Sequence, residues 1–250
     1  MKPTINLPIT GIVLTYNSQQ TLESALKSIG FCREIIVVDQ ESTDQTRTIA
    51  RQHGAKVIEG GEPSFAKRRN LGLHAATQSW LFYLDSDEVV TPSLAQEIKQ
   101  VVESHRDGVY LIKRRNFFLG REMYQDRVER LFARDRLHGW AGVVHEHPLI
   151  EGERLSITQP LIHRTHTDIT SMLAKTNAWS EMGAALLLRA NHPPISWWRL
   201  VRVALTSWWR ELSRHQVYRY GRVGWFEAYF QMVDILIVYT KLWERQPHKT

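Results

Sequence analysis

The sequence predicts an α/β fold in which helices flank a mostly parallel sheet and an amphipathic helical extension follows. Strand-like and helix-like segments alternate through the first 105 residues, and the links between them are short. Such alternation is typical of a doubly wound parallel sheet. Beyond His192-Pro193-Pro194 the chain becomes basic and rich in tryptophan. We therefore predict two domains, a sheet domain at 1–168 and the helical extension at 169–250.

Each predicted strand of the sheet is a short apolar run of the kind found in buried parallel strands. The runs are Ile9–Thr15, Glu34–Val38, Ala55–Ile58 and Ser79–Leu84. The helices predicted after these runs end at about Ile29, Gly54, Ala76 and His105. Asn17 with Gln20, and Ser42 with Gln45, have the spacing of capping boxes, which predicts that they begin the first two helices.

Polar residues follow the apolar runs at the points where the strands end. Thr15, Tyr16 and Asp39 close the first two strands, and Asp85 and Asp87 close the fourth. The carboxyl ends of parallel strands form the edge at which open α/β sheets bind ligands. Asp85 and Asp87 repel each other unless they share a cation, and such oxygen ligands suit Mg²⁺ or Mn²⁺. The alternative is a strand followed by an acidic turn.

Two common nucleotide-binding motifs are missing from the sequence. No Gly-x-Gly-x-x-Gly follows the first strand, and no Gly-x-x-x-x-Gly-Lys motif is present. Both absences disfavour a dinucleotide dehydrogenase and a P-loop enzyme. The single cysteine, Cys32, excludes an internal disulfide and a cysteine-based metal site.

Four segments together resemble family 2 glycosyltransferases of the GT-A fold, a Rossmann-like architecture. They are Ile-Val-Leu-Thr-Tyr-Asn, Ile-Ile-Val-Val-Asp-Gln-Glu-Ser-Thr-Asp-Gln-Thr, Ala-Lys-Arg-Arg-Asn-Leu-Gly and Leu-Asp-Ser-Asp-Glu. They occur in the order and spacing of that family, between Ile9 and Glu88. The end of the chain further resembles lipopolysaccharide-core glucosyltransferases of the WaaE/KdtX type.

The resemblance implies that the first two strand ends hold the base and ribose of a nucleotide-sugar, usually a UDP-sugar. Thr15, Tyr16 and Asp39 are the residues concerned. The Asp39 carboxylate would accept the uracil N3–H. Its alternative role is to cap a helix or close an Asx turn.

The resemblance also implies roles for the basic helix and the acidic turn. Lys67, Arg68 and Arg69 would face the diphosphate or the base, a match of opposite charges. The alternative is a solvated helix face, which we expect for at least one of the three. Asp85 would contact ribose or a metal-bound water, and Asp87 would bind the Mg²⁺ or Mn²⁺ that bridges the diphosphate.

The segment around Gly139–Pro148 is where related transferases carry the acceptor-side base, and Glu146 is our candidate. The alternative for Glu146 is a salt bridge to an arginine. Trp140 is a candidate for stacking on a sugar ring, with core packing as the alternative. One histidine, His163 or His166, is a candidate to complete the metal shell.

The extension carries the positive charge of the chain. From Leu186 onward it has ten basic and four acidic residues and six of the nine tryptophans, and the whole chain has a net charge of +6. From Ile195 the helical spacing separates an apolar side from a basic side. The apolar side has Trp197, Val201, Ala204, Leu205, Trp208 and Leu212, and the basic side has Arg199, Arg202 and Arg210.

Arginines on one side of a helix and indoles on the other are typical of a helix that lies in a membrane interface. The alternative is a helix packed on the protein with its arginines in water. Trp225–Trp243 carries a polar stripe, which predicts a second in-plane or partly buried helix.

These observations predict an inverting, metal-dependent glycosyltransferase. It would move glucose or another hexose from a UDP-sugar to a lipid-linked glycan such as lipopolysaccharide core. We expect it to bind a membrane surface and no nucleic acid. We expect it in the cytoplasm, peripheral on the inner face of the cytoplasmic membrane. The alternatives are a nucleotidyltransferase and a non-catalytic protein that binds membrane or nucleic acid.

Overall fold

An eight-stranded sheet forms the centre of the first of two compact units in the computed structural model. Residues 6–61, 64–142, 146–166 and 168–247 are described by the structure. The first unit comprises Met1–Arg115 and Gln125–His163, and the second comprises Asn116–Tyr124 and Arg164–Thr250. The predicted boundary at residue 168 stays a prediction.

The strands are β1 (Leu7–Thr15), β2 (Cys32–Asp39), β3 (Lys56–Glu59), β4 (Trp80–Asp85), β5 (Glu88–Val90), β6 (Val109–Phe118), β7 (Arg121–Ala133), β8 (Leu137–Ala141), β9 (His147–Ile150) and β10 (Arg154–His166). The helices are α1 (Leu22–Ser28), α2 (Thr46–Gln52), α3 (Phe65–Ala75), α4 (Pro92–Glu103), α5 (Ile169–Arg189), α6 (Trp197–Ser213) and α7 (Gly221–Arg245).

The sheet has the order β3-β2-β1-β4-β7-β6-β10-β5. The strands β3, β2, β1 and β4 are parallel, whereas β7 pairs antiparallel with β4. Thr15 is aligned with Asp39, and Leu14 with Asp85, so the carboxyl ends of β2, β1 and β4 lie at one edge. The predicted α/β fold with a large sheet flanked by helices is confirmed.

Two predicted capping boxes are wrong. The helices α1 and α2 begin after Thr21 and Gln45, and neither residue caps its helix with its side chain. Asn17 Oδ1 instead accepts a hydrogen bond from the Thr43 backbone amide, 2.9 Å away, and the Asn17 backbone amide donates to Ser42 Oγ at 2.8 Å. These side chains tie together the loops after β1 and β2 because the parallel strands bring both loops to one edge.

Helix α3 lies directly against the sheet because of one glycine. A Cβ atom at Gly72 would come within 2.5 Å of Ile12 Cγ2 on β1. Ser64 caps the helix, its side chain accepting the amide of Lys67. The close approach carries the basic residues at the start of α3 to the edge where β1 and β4 end.

The second unit consists of α5, α6 and α7 together with the tip of the β6–β7 hairpin. Its largest apolar cluster includes Phe118 and Met123 from the hairpin. The helical members of the cluster are Met172, Val217, Ala228 and Phe230. Among the residues the structure describes, no helix has both the length and the apolar content needed to cross a bilayer.

Candidate functional site

The end of β2 holds a carboxylate that is fully buried and hydrogen-bonded. Asp39 accepts bonds from Thr15 Oγ1 at 2.8 Å and from Ser42 Oγ at 2.6 Å, and its other oxygen accepts the Ser42 amide at 2.9 Å. The bond from the Ser42 amide spans three residues, one more than in the Asx turn that the sequence left as an alternative for Asp39, and it caps no helix. Tyr16, the next residue after Thr15, is partly exposed. The role of all three in base binding stays a prediction.

The three basic residues of α3 have different environments. Lys67 is exposed, as expected for at least one of them, whereas Arg68 and Arg69 are 2% and 5% exposed. Nε and Nη2 of Arg68, and Nε and Nη1 of Arg69, are buried with no hydrogen-bond partner among the described residues. Buried guanidinium donors without partners are rare, and they fit a site for an anion.

Aromatic rings support both guanidinium groups from one side. Arg68 lies 4.3 Å from the centre of the Phe65 ring, and Arg69 lies 4.7 Å from that of Trp140. Burial, and next the positive charge of Arg69, lower the pKa of Arg68 to about 10. Arg68 therefore stays charged at neutral pH.

The first carboxylate of the acidic turn is neutralised by arginines. Asp85 Oδ2 bonds to Arg130 Nη2, and its Oδ1 lies 3.4 Å from Arg69 Nη2. Burial alone would raise the pKa of Asp85, but Arg130 and then Arg69 hold it well below its ordinary value. Glu88 is fully buried, accepting the Asp85 amide at 3.0 Å and Arg130 Nη2 at 2.6 Å.

Asp87 lies beside an imidazole. His163 Nε2 is 3.5 Å from Asp87 Oδ1, and both side chains are mostly buried. Among the described residues no group of three or more His, Cys, Asp or Glu side chains could hold a metal ion. Two protein donors nonetheless fit Mg²⁺ or Mn²⁺, which take one or two carboxylates and complete their shells with phosphate oxygens and water. The side chain of His166 lies outside the described residues.

Glu146 faces the same guanidinium as Asp85. Its Oε1 lies 3.5 Å from Arg69 Nη2, so Arg69 lies between the predicted base and the acidic turn. This ion pair is also the alternative that the sequence left open for Glu146. Trp140 is buried and packs edge-on against Tyr83 and Phe132, so its ring belongs to the core and does not offer a face to a sugar.

Asn70 connects α3 to the strand that precedes Glu146. Its Nδ2 donates to the Trp140 carbonyl at 2.9 Å, and its Oδ1 accepts the Trp140 amide at 2.8 Å. One side chain thus satisfies both backbone polar groups of a residue in β8. The paired bonds fix the position of β8 relative to α3.

Three of these residues had no role predicted from the sequence: Asn70, Glu88 and Arg130. A signal for Arg130 exists, because it stands two positions before the buried Phe132 in β7 and therefore shares its face. Asn70 and Glu88 stand within the segments that resemble the family, but no local pattern predicts their contacts. Their partners lie on other elements, and the topology of the sheet decides which ones they are.

Comparison with known proteins places this site in context. The model of the family described as Glycosyl transferase family 2 matches residues 10–168. The chain is 23% identical to the lipopolysaccharide core biosynthesis glycosyltransferase LpsC of Rhizobium meliloti, over 97% of this chain and 94% of LpsC. It is 33% identical to an uncharacterized glycosyltransferase of Rickettsia felis, over 41% of this chain and 37% of that one.

A solved structure has a similar fold. Residues 1–349 of TarS from S. aureus, in complex with UDP-GlcNAc, superpose with a TM-score of 0.50. The match covers 92% of this chain and 81% of that one, at 15% identity. At this level of identity the likeness shows the fold alone.

Proposed function

The chain belongs to glycosyl transferase family 2, and from this premise we propose that it moves a hexose from a UDP-sugar to a lipid-linked glycan, with inversion at the anomeric carbon. The acceptor class follows from the similarity to LpsC, whose name assigns it to lipopolysaccharide core biosynthesis. The donor class is supported by the likeness to TarS, which was solved with UDP-GlcNAc.

One observation carries the proposal: two buried guanidinium groups, each with N–H groups that no described residue accepts, lie among carboxylates at the edge where β1 and β4 end. Arg69 is within 3.5 Å of both Asp85 and Glu146. Arg68 is within electrostatic reach of Glu146, Asp39 and Asp85. The free donors suit a diphosphate, and their charge stabilises the nucleoside diphosphate as it leaves.

Glu146 serves as the general base in this mechanism. It takes the proton of an acceptor hydroxyl while that oxygen attacks the anomeric carbon from the face opposite the diphosphate. The new bond forms between the acceptor oxygen and the sugar, and the bond from the sugar to the diphosphate breaks. A diphosphate that draws Arg69 towards itself would weaken its ion pair with Glu146 and leave that carboxylate free to accept the proton.

Asp87 and His163 are the residues that would hold the divalent cation. Such a cation, when bound, neutralises part of the charge on the diphosphate. Asp85 is held by Arg130 and Arg69, so its role is to keep Arg69 in place beside the ribose and diphosphate. Thr15, Tyr16 and Asp39 would hold the base, with Tyr16 the most accessible of the three.

The working environment follows from the acceptor. A glycan attached to lipid is presented at a membrane surface, and nucleotide-sugars are made in the cytoplasm. We therefore place the enzyme on the inner face of the cytoplasmic membrane.

A thermal-shift screen of nucleotide-sugars, with and without Mg²⁺ or Mn²⁺, tests the proposal. The true donor should raise Tm, since stabilisation grows with the ratio of ligand concentration to Kd. Asp87→Ala should remove the part of the shift that needs the cation. Glu146→Gln should keep the shift but lower kcat by about 10²- to 10⁴-fold.

The matched controls are Asp107→Ala and Glu153→Gln, two exposed acidic residues that should change neither quantity. Release of pyrophosphate in place of UDP would show a nucleotidyltransferase. Near-normal turnover by Glu146→Gln would remove Glu146 as the base.

A further inference from the structure

The outer face of α6 carries the most exposed large apolar side chains of the described residues. Trp197, Trp198, Leu205 and Trp209 are 80%, 71%, 61% and 69% exposed, and we call them the α6 apolar patch. The spacing of Trp198, Leu205 and Trp209 places them on one side of the helix. A patch of this kind on a monomer marks a surface that binds something.

The packing of α6 leaves most of its indole surface uncovered. Its fully buried residues are Ser207 and Glu211, and Trp208 and Leu212 are partly buried, while the other three tryptophans are exposed. A helix packed only against its own protein turns its apolar stripe inward. The packing of the second unit therefore does not account for the exposed tryptophans of α6.

The aromatic surface continues onto α7. Trp208, which is half-buried, lies against Trp225 with ring centres 6.0 Å apart. Trp225 and Tyr229 of α7 are themselves about half exposed. The surface is thus wider than one helix, which suits a flat partner.

The charge next to the patch has one sign. Arg202 and Arg210 are exposed along α6, whereas Arg199 is half-buried and donates to the Pro193 carbonyl at 3.1 Å. The single acidic residue of the helix, Glu211, is buried and bonds to His215 Nδ1 at 2.7 Å and Arg210 Nε at 3.3 Å. The exposed surface of α6 is therefore aromatic and basic, with no exposed carboxylate of its own.

We propose that the α6 apolar patch docks the protein on an anionic lipid surface, with α6 lying in the plane of the headgroups. Indoles favour the headgroup region, and arginines beside them attract anionic lipids. A second copy of the chain fits less well, because a two-fold contact would bring the arginines of each copy together. The proposal rests on the proposed function for its biological purpose, but not for its test.

Flotation of the whole protein with lipid vesicles gives the test. The protein should float with vesicles containing phosphatidylglycerol, bind vesicles of phosphatidylcholine alone more weakly, and lose binding as salt is raised. Replacing Trp198, Leu205 and Trp209 by Ser should weaken binding to anionic vesicles by about tenfold or more. Replacing Arg202 and Arg210 by Gln should lower it by about fivefold per arginine.

Controls of the same residue types are available elsewhere in the chain. Trp179→Ser on α5 and Arg51→Gln on α2 should leave vesicle binding unchanged. The donor-induced thermal shift should persist in every α6 variant, since α6 belongs to the second unit. If the Ser variant did not fold, Leu205→Asp alone would give the same comparison.

Three results would overturn the inference: no binding of the wild-type protein to anionic vesicles, unchanged binding of the Ser variant, or a dimer that the Ser variant breaks. Binding to anionic vesicles without any donor-induced shift would support the docking surface and count against the proposed enzyme. The two proposals can therefore fail separately.

Discussion

The Asn70 side chain holds, through two hydrogen bonds, the backbone of the strand that leads to Glu146. Trp140, whose backbone Asn70 holds, is in β8, and Glu146 follows a few residues later. The neighbouring Arg69 stacks on the Trp140 ring and lies 3.5 Å from Glu146. We infer that Asn70 is a positioning residue, which sets the distance between the basic helix and the base.

Asn70→Ala should lower kcat by about tenfold or more while the donor still raises Tm, because misplacing the base affects the chemical step rather than donor binding. The cost in stability should be about 1–3 kcal/mol, since two backbone groups lose their partners. Steady-state kinetics corrected for folded protein, together with donor titrations, measure both quantities.

Ile98→Val, in the buried face of α4, is the matched control for lost stability. It should cost about 1 kcal/mol and leave kcat unchanged. Equal kinetic losses in the two variants would mean that Asn70 acts only through stability.

The acidic turn shows how a charge argument from sequence can be incomplete. Asp85 and Asp87 predict a shared cation because nothing nearby in the chain neutralises them. In the structure Arg130 lies between Asp85 and Glu88, so an arginine of β7 takes the place that a cation would have there. The proposed metal site then depends on Asp87 and His163 alone.

Between helices α6 and α7 the second unit buries two carboxylates. Glu211 is held by His215 and Arg210, whereas Glu227 Oε2 has no hydrogen-bond partner among the described residues. Burial, and next the charge of Glu211, raise the pKa of Glu227 to about 7. His215, which stacks on Tyr124, opposes this rise.

The raised pKa of Glu227 makes the stability of these helices depend on pH. The folded state holds the proton more tightly than the unfolded chain, so stability is greatest at low pH and is lost as pH rises from about 4.5 to 7. A shift of that size corresponds to roughly 3 kcal/mol above pH 7. Glu227→Gln should therefore raise Tm at pH 8 and flatten its dependence on pH.

Thermal unfolding between pH 5 and 8 checks this prediction. Glu181→Gln, which changes a more exposed glutamate on α5, is the control and should leave the pH profile in place. A Tm at pH 8 that falls in the Glu227→Gln variant would mean that the charged form is the stabilising one.

Each of the two units combines segments that are separated along the chain. The family model ends at residue 168, yet the tip of the β6–β7 hairpin belongs to the helical unit. Phe118 and Met123 at this tip are almost fully buried in a cluster with residues of α5 and α7. The catalytic segment therefore carries an apolar surface that the last part of the chain covers.

A fragment comprising residues 1–168 should aggregate, since Phe118 and Met123 would be exposed. Replacing both by Ser should restore solubility to the fragment. In the full chain the same two substitutions should destabilise by about 3–5 kcal/mol or more, because both side chains then leave the core. If this is right, sedimentation will show that the two substitutions make the fragment more soluble. Denaturant unfolding will show that the same substitutions lower the stability of the full chain.

A soluble wild-type fragment that binds a UDP-sugar would show instead that the hairpin tip does not need the helices. It would also favour residue 168 as a true domain boundary. That boundary stays a prediction until such a fragment is made.

The sequence by itself determined the parallel strands, their order of appearance, the polar residues at their ends and the helices of the extension. These features depend on local patterns: apolar runs, periodicity and the residues that end them. Only the tertiary structure decided that Arg130 neutralises Asp85, that His163 lies beside Asp87, that Asn70 holds β8, and that three tryptophans of α6 are exposed. Each of these depends on which distant segments become neighbours, and the sheet order that brings them together is not contained in any one stretch of the chain.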